Sequence, residues 1–330
     1  MQPIIAISIV DVNGIGPEVV LKAFDRSELY DHCRPVVYAP SGALEFYRER
    51  FGIPVDLVTI DDPSAARERT VSTIITPGGF DPVAIGRPTA ESGHGAIAAI
   101  EAAFAATRAG TVQAMVTAPV SKEAIAMAGS PYRGHTEMLA ALCGTPEEVL
   151  MILSSNTMNV GLVTIHVPLA AVAALITRER VERTIRLAYR AMRDDYNIED
   201  PKLAILALNP HAGDGGLLGG EEQSVIMPAV AAMQAEGIDV AGPFAADGFF
   251  SAHTQQMYDI IIAMYHDQGL VPFKLQAMGR GVNVTVGLPI VRTSPDHGTA
   301  YNIAARGIAS AASMKEAIYF ARTIAMNRAS

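Results

Sequence analysis

The sequence predicts an α/β protein organised around a largely parallel sheet. Short apolar, β-branched runs recur along the 330 residues, helix-patterned stretches separate them, and no repeat, low-complexity tract or obvious linker interrupts the alternation. Half of the residues are apolar, enough for a sizeable core.

In chain order the strand candidates are IIAISIV, PVVYA, VQAMVTA, VLMIL, VGLVTI, LAILAL, YDIIIAMY and VNVTVGL. Each reads as a strand covered on both faces, because its apolar residues run on instead of alternating with polar ones. GAIAAIEAAFAATRAG and RERVERTIRLAYRAM are the clearest helical stretches. The first strand candidate runs into DVNGIGPEVV, where Gly14 and Gly16 permit a tight turn and Pro17 suits the first turn of a helix. As a dinucleotide fingerprint this is superficial. Val19 holds the third glycine position, and no acidic residue follows about twenty residues on at the end of a second strand. Asp11, Asn13 and Glu18 remain candidates to face a cleft.

The formal charge of −9, with no basic run, argues against nucleic acid and anionic membrane as partners. No apolar run approaches about 18 residues and no early window resembles a signal peptide, so a cytoplasmic protein is expected. The two cysteines, Cys33 and Cys143, lack CxxC spacing and fit a reducing compartment. Any metal must then be held by histidine and carboxylate.

Three of the eight histidines occupy one topological place, the end of an apolar run: His166 after VGLVTI, His211 after LAILALNP and His266 after IIIAMY. A lone histidine is more often a satisfied core residue, but a parallel sheet gathers strand ends along one edge, where three imidazoles can converge on a divalent ion. Lys274, Asn283 and Arg292 form a second constellation. A point charge, a neutral donor and a bidentate fork together suit a phosphate group.

The motifs DVNGIGPE, YRGHTEMLA, TIHVPL, LNPHAGDGG, AMYHDQGLVPFK and VNVTVGLPIVRTSPDHGTA, in that order over nearly the whole chain, resemble those of the 4-hydroxythreonine-4-phosphate dehydrogenase family of pyridoxine biosynthesis. The resemblance implies a two-domain α/β/α fold like that of isocitrate and isopropylmalate dehydrogenases. One domain is expected over 1–130 plus 275–330 and the other over 131–274, with the active site in the cleft between them. It further implies a homodimer whose metal site is shared between subunits: one divalent ion (zinc, magnesium or cobalt) on His166, His211 and His266, the last supplied by the partner subunit. By the same resemblance His135 and Thr136 contact a phosphorylated substrate, and Lys274, Asn283 and Arg292 hold its phosphate. Asp247 and Asp267 line the site, and His135 or Lys122 moves protons. The implied reaction is NAD-linked oxidation of 4-phosphooxy-L-threonine at C3 followed by decarboxylation.

The chain departs from the family pattern at Val10, where glycine is common, at Gly248, where threonine is usual, and at Asn302 and Ala305, where an acidic residue and a glycine are typical. In related decarboxylating dehydrogenases the acidic position meets the adenosine ribose, and Asp296, Gly298 and Asn302 are the expected cofactor contacts here. A neutral Asn302 repels a 2′-phosphate less than a carboxylate does, which leaves NADP open beside NAD. Rival readings are a dehydrogenase of 4-phosphorylated threonate or erythronate, a three-histidine metallohydrolase of a phosphorylated metabolite, and a metal-free metabolite-binding protein.

Overall fold

β-branched runs become strands where both faces are covered, and the computed structural model shows this for residues 2–132, 134–145, 148–251 and 254–329. Arg133, within the YRGHTEMLA motif, lies outside the described residues. The chain divides into two compact units, Met1–Glu147 with Leu288–Ser330, and Glu148–Gly287.

The first unit holds β1 (Ile4–Ser8), β2 (Arg34–Ala39), β3 (Leu57–Thr59), β4 (Val71–Ile75), β5 (Ala114–Thr117) and, from the returning segment, β12 (Arg292–Pro295). Their order is β3-β4-β2-β1-β5-β12, and every pairing is parallel. All five residues of β1 are buried; Ile5 and Ile7 each contribute roughly 1.5–3 kcal/mol by leaving water. The helix Gly16–Phe24 opens with Pro17 in its first turn, as the sequence predicts. Glu18 faces no cleft: it is fully buried, bonded to Lys22 at 2.7 Å and to the Ala309 N–H at 2.8 Å.

The second unit holds β6 (Leu150–Ser154), β7 (Asn159–Leu162), β8 (Leu203–Leu206), β9 (Val240–Phe244), β10 (Ile260–Ala263) and β11 (Val282–Val286), ordered β11-β6-β7-β10-β8-β9. The largely parallel sheet here includes antiparallel pairs: β6 pairs antiparallel with β11 and, across the tight turn that joins them, with β7, whereas β7, β10, β8 and β9 run parallel. A core of Leu153, Val160, Leu206, Ile261, Leu270 and Phe273 covers one face of this sheet, while Ile152, Ile205 and Ile262 are buried on the other. The helix His266–Ala277 lies close on the strands because position 269 is glycine: a Cβ there would stand 2.7 Å from Val160 Cγ1.

The unit boundaries follow from pairing. The helix His135–Cys143 stays with the first unit, tied to Arg292, and β11 stays with the second, paired to β6, so the chain changes unit later than 130 and 274. The two ends of the second unit abut: at Gly287, with φ +88°, a Cβ would fall 1.8 Å from the Glu148 carbonyl oxygen. Among the described residues no helix is long and apolar enough to cross a membrane.

Candidate functional site

In the second unit the chemistry gathers at the carboxyl ends of adjacent parallel strands. Beyond β7 and β10 the pairing continues, Val163 N–H to the Ala263 carbonyl at 2.9 Å and Thr164 N–H to that of Met264 at 3.1 Å. The buried Thr164 hydroxyl donates to the same Met264 oxygen at 2.7 Å. Two residues further, His166 and His266 emerge with ring centroids 5.8 Å apart and planes at 40°. That separation suits two imidazoles sharing one divalent ion, whose metal–nitrogen bonds of about 2.0–2.1 Å put ring centroids roughly 5 Å apart. His266 Nδ1 lies 2.7 Å from Asp267 Oδ1, which leaves Nε2 to face outward. The pair lies within one chain, whereas the family resemblance assigns His266 to the partner's site.

His211 is placed differently. It starts a run in which His211, Ala212, Gly213, Asp214 and Gly215 all take left-handed backbone, with φ of 53, 53, 78, 41 and 66°. Left-handed backbone costs an L-residue about 1–2 kcal/mol, so His211, Ala212 and Asp214 need outside support that the two glycines do not. Among the described residues no group of three or more His, Cys, Asp and Glu side chains stands close enough to hold a metal. His166 and His266 supply two of the three protein ligands that a catalytic divalent ion takes.

The other residues expected in this unit are spread out. Asp247 is exposed in the first turn of the helix Ala246–Ser251, and Asp267 is exposed beside His266. Lys274 is exposed in the last turn of a helix, not at the strand edge where its sequence setting put it. Asn283 lies on β11, its Oδ1 buried without a hydrogen-bond partner among the described residues.

In the first unit the cluster is buried. Arg292, the first residue of β12, is 2% exposed; its Nη2 donates to Thr117 Oγ1 at 2.6 Å and reaches His135 Nδ1 at 3.3 Å, and its Nη1 donates to Thr136 Oγ1 at 3.4 Å. Burial pulls the guanidinium pKa down to about 10, which leaves it charged near neutrality. Burial first, and then the Arg292 charge, holds His135 well below the ordinary histidine range. A guanidinium cannot accept a hydrogen bond, so His135 accepts through Nδ1 and carries its proton on Nε2, which is buried without a partner among the described residues. His135 is thus a neutral imidazole, with the Ala118 carbonyl as a backbone hydrogen-bonding group beside its ring. Lys122 is exposed at the start of the helix Lys122–Met127, with Cε near Gly134.

Elsewhere in this unit the chain shapes a concavity of about 120 Å³ lined by Asn13, Gly79, Asp81, Arg87, Thr89 and Glu91 among others. The segment carrying Asp296, Gly298 and Asn302 adjoins the same first turn: Gly14 packs against Thr299, and the Tyr301 hydroxyl bonds the buried Asp11 carboxylate. Burial raises the Asp11 pKa to about 6, against the hydrogen bonds from Tyr301 and the Asn13 N–H. Asp11 is therefore an internal support, not a cleft residue. Ala305, where a glycine is typical, has φ of 57°, backbone that glycine adopts freely. Sequence reasoning missed Thr117, whose only signal was its place at the end of a strand run.

Comparison with known proteins gives the family. A solved 4-hydroxythreonine-4-phosphate dehydrogenase from Klebsiella pneumoniae superposes with a TM-score of 0.89 at 38% identity, covering 98% of each chain. Proteins of the same name from Prosthecochloris aestuarii and Trichlorobacter lovleyi are 44% and 43% identical over 96% and 99% of this chain, and 96% and 99% of their own lengths. The chain is thus an α/β oxidoreductase. The family model described as "Pyridoxal phosphate biosynthetic protein PdxA" matches residues 31–321, and the chain belongs to that family.

Proposed function

We propose that the chain oxidises the C3 hydroxyl of 4-phosphooxy-L-threonine, passing hydride to NAD, and that the resulting β-keto acid loses carbon dioxide to give 3-amino-2-oxopropyl phosphate for pyridoxal phosphate synthesis. The observation that carries this reading is that His166 and His266 both emerge at the carboxyl ends of neighbouring parallel strands in a chain of dehydrogenase family. Together with His211 these residues would hold one divalent ion (zinc, magnesium or cobalt). When bound, such an ion supplies Lewis acidity to an oxygen that gains negative charge both in hydride loss and in decarboxylation.

The protein's own groups do the rest. Arg292 offers a fixed charged fork, and Thr136 and the Nε2–H of His135 add neutral donors, a combination that suits a phosphate. Lys274 and Asn283 are assigned to the same anion. His135 orients the substrate, because an imidazole held neutral by burial and a neighbouring cation is a poor proton acceptor. Lys122 and Asp267 remain the candidates for proton movement, and Asp247 for the substrate ammonium. Asp247 and Asp267 are both exposed, so their burial offers no support for the ammonium over a hydroxyl. The choice of the amine rests on the relatives' names.

NAD, with NADP as the other option, is assigned to the segment with Asp296, Gly298 and Asn302 and to the adjoining concavity. We assign the working enzyme to the cytoplasm as a homodimer with shared metal sites. Mixing inactive His166→Ala and His266→Ala proteins tests the sharing: turnover returns if the two histidines serve different chains, and stays absent if the 5.8 Å pair is one ligand set.

The decisive experiment mixes protein, a divalent metal, NAD and 4-phosphooxy-L-threonine and follows reduced-nicotinamide absorbance, with the threonate and erythronate 4-phosphates alongside. Rapid turnover of the amine, lost on chelation, is expected. Turnover of only the hydroxyl compounds would transfer the assignment to them, and phosphate release without NAD reduction would make the protein a hydrolase.

A further inference from the structure

The guanidinium of Arg292 is held by two kinds of structure. Thr117 closes β5, a strand paired on both sides: Thr117 stands opposite Ser8 of β1, and Met115 and Val116 stand opposite Arg292 and Thr293 of β12. Thr117 is fully buried, and its Oγ1 accepts from Arg292 Nη2 at 2.6 Å. His135 and Thr136 open the helix His135–Cys143, whose start has no side-chain cap, and their contacts with Arg292 are long, 3.3 and 3.4 Å. The short bond is the one made to the sheet.

That difference matters when an anion arrives. A short hydrogen bond from a charged donor is among the strong ones, whereas contacts near the upper distance limit are weak. A phosphate that takes the fork draws on N–H groups now shared with His135 and Thr136. The Thr117 bond can persist through that exchange, because a guanidinium carries five N–H donors in one plane. Valine has the same branched shape and suits a strand equally well, so neither packing nor strand formation asks for a hydroxyl at this buried position. What the hydroxyl adds is a fixed point for the guanidinium plane.

We infer that Thr117 is a positioning residue for the anion site: it holds the plane of the Arg292 fork, so that the substrate phosphate meets two N–H groups at once. This rests on the proposed phosphate role of Arg292. Thr117 acts through the guanidinium and not on the substrate.

The test compares Thr117→Val, which keeps the shape and removes the acceptor, with Thr117→Ser, which keeps the acceptor, in enzyme supplied with divalent metal and NAD. Calorimetric binding of 4-phosphooxy-L-threonine, and of inorganic phosphate as the bare anion, is read beside steady-state rates. Thr117→Val should weaken both ligands and raise KM about tenfold while kcat stays within about twofold, and Thr117→Ser should recover most of the affinity. In an Arg292→Ala background the same Thr117→Val change should add less than about twofold, because no fork is left to hold. Thr293→Val is the control: Thr293 Oγ1 donates to the Ala317 carbonyl at 2.7 Å, so its loss lowers stability without touching the guanidinium, and KM should stay at the wild-type value. Should Thr117→Val not fold, Thr117→Cys, whose sulfur accepts only weakly, is expected to raise KM in the same direction by a smaller factor. An unchanged KM in the folded Thr117 variant, an equal rise in the control, or a full Thr117→Val effect without Arg292 would overturn the inference. Wild-type binding of both ligands by Arg292→Ala would instead bring down the phosphate reading itself, and this inference with it.

Discussion

The two units place their reactive groups in opposite ways. In the first, an all-parallel sheet holds the cluster: the buried Arg292 is within hydrogen-bond reach of Thr117, Thr136 and His135 before any ligand arrives. In the second, a mixed sheet leaves its histidines at the rim, two rings facing each other and the third on left-handed backbone. A phosphate needs fixed, desolvated donors, which a core supplies. A metal ion needs ligands with an open side, which a strand edge supplies.

The sharpest way to break this contrast is to remove a rim histidine. His166→Ala or His266→Ala is expected to abolish metal retention and cut turnover by roughly 10³-fold, several kcal/mol of lost charge stabilisation, with little change in thermal midpoint. Metal analysis and steady-state rates check both parts. The buried cluster should answer differently: Arg292→Ala should raise KM by about 10- to 100-fold, a missing charged contact being worth roughly 1.5–3 kcal/mol, and should also lower the thermal midpoint. Arg292→Lys keeps the charge but not the fork and should recover only part of KM. An unchanged KM in both variants would place the phosphate elsewhere.

Asp11 gives a pH signature confined to the first unit. Its folded pKa, raised to about 6 from the ordinary 3.8, means the neutral form is favoured by folding. That stabilisation is fully present below pH 3.8 and is lost as pH rises through 6. The thermal midpoint of Asp11→Asn relative to wild type should therefore climb between pH 4 and 8, by the equivalent of about 2 kcal/mol. A constant difference would show that burial does not control this carboxylate. The smallest effect concerns Ala305, where Ala305→Gly should stabilise the protein by about 0.5–1 kcal/mol in denaturant unfolding, since glycine adopts its φ of 57° without steric cost.

Much of this was legible in the residue order, for identifiable reasons. All eight apolar runs contain strands, and the histidines stand at strand ends because a buried strand must stop where polar residues begin. Four strands escaped notice. Leu57–Thr59 is short and half-exposed, Val71–Ile75 mixes Ser and Thr into its run, Val240–Phe244 contains Gly242 and Pro243, and Arg292–Pro295 has no aliphatic residue. Long-range facts were beyond reach. The partners of Arg292 and the neutrality of His135 depend on residues brought together from distant positions.

The abutting ends of the second unit bear on the order in which the protein is made. Glu148 and Gly287 meet, so that unit can close on itself as soon as it has left the ribosome. The first unit cannot, because β12 is still to come and must pair with β5, and Arg292 must find Thr117, 175 residues behind it. Contacts of such separation form slowly. A chain released at Gly287 would hold His166, His211 and His266 in a finished second unit, whereas the first unit would still lack β12 and the contacts of Arg292 would be the last part of the protein to exist.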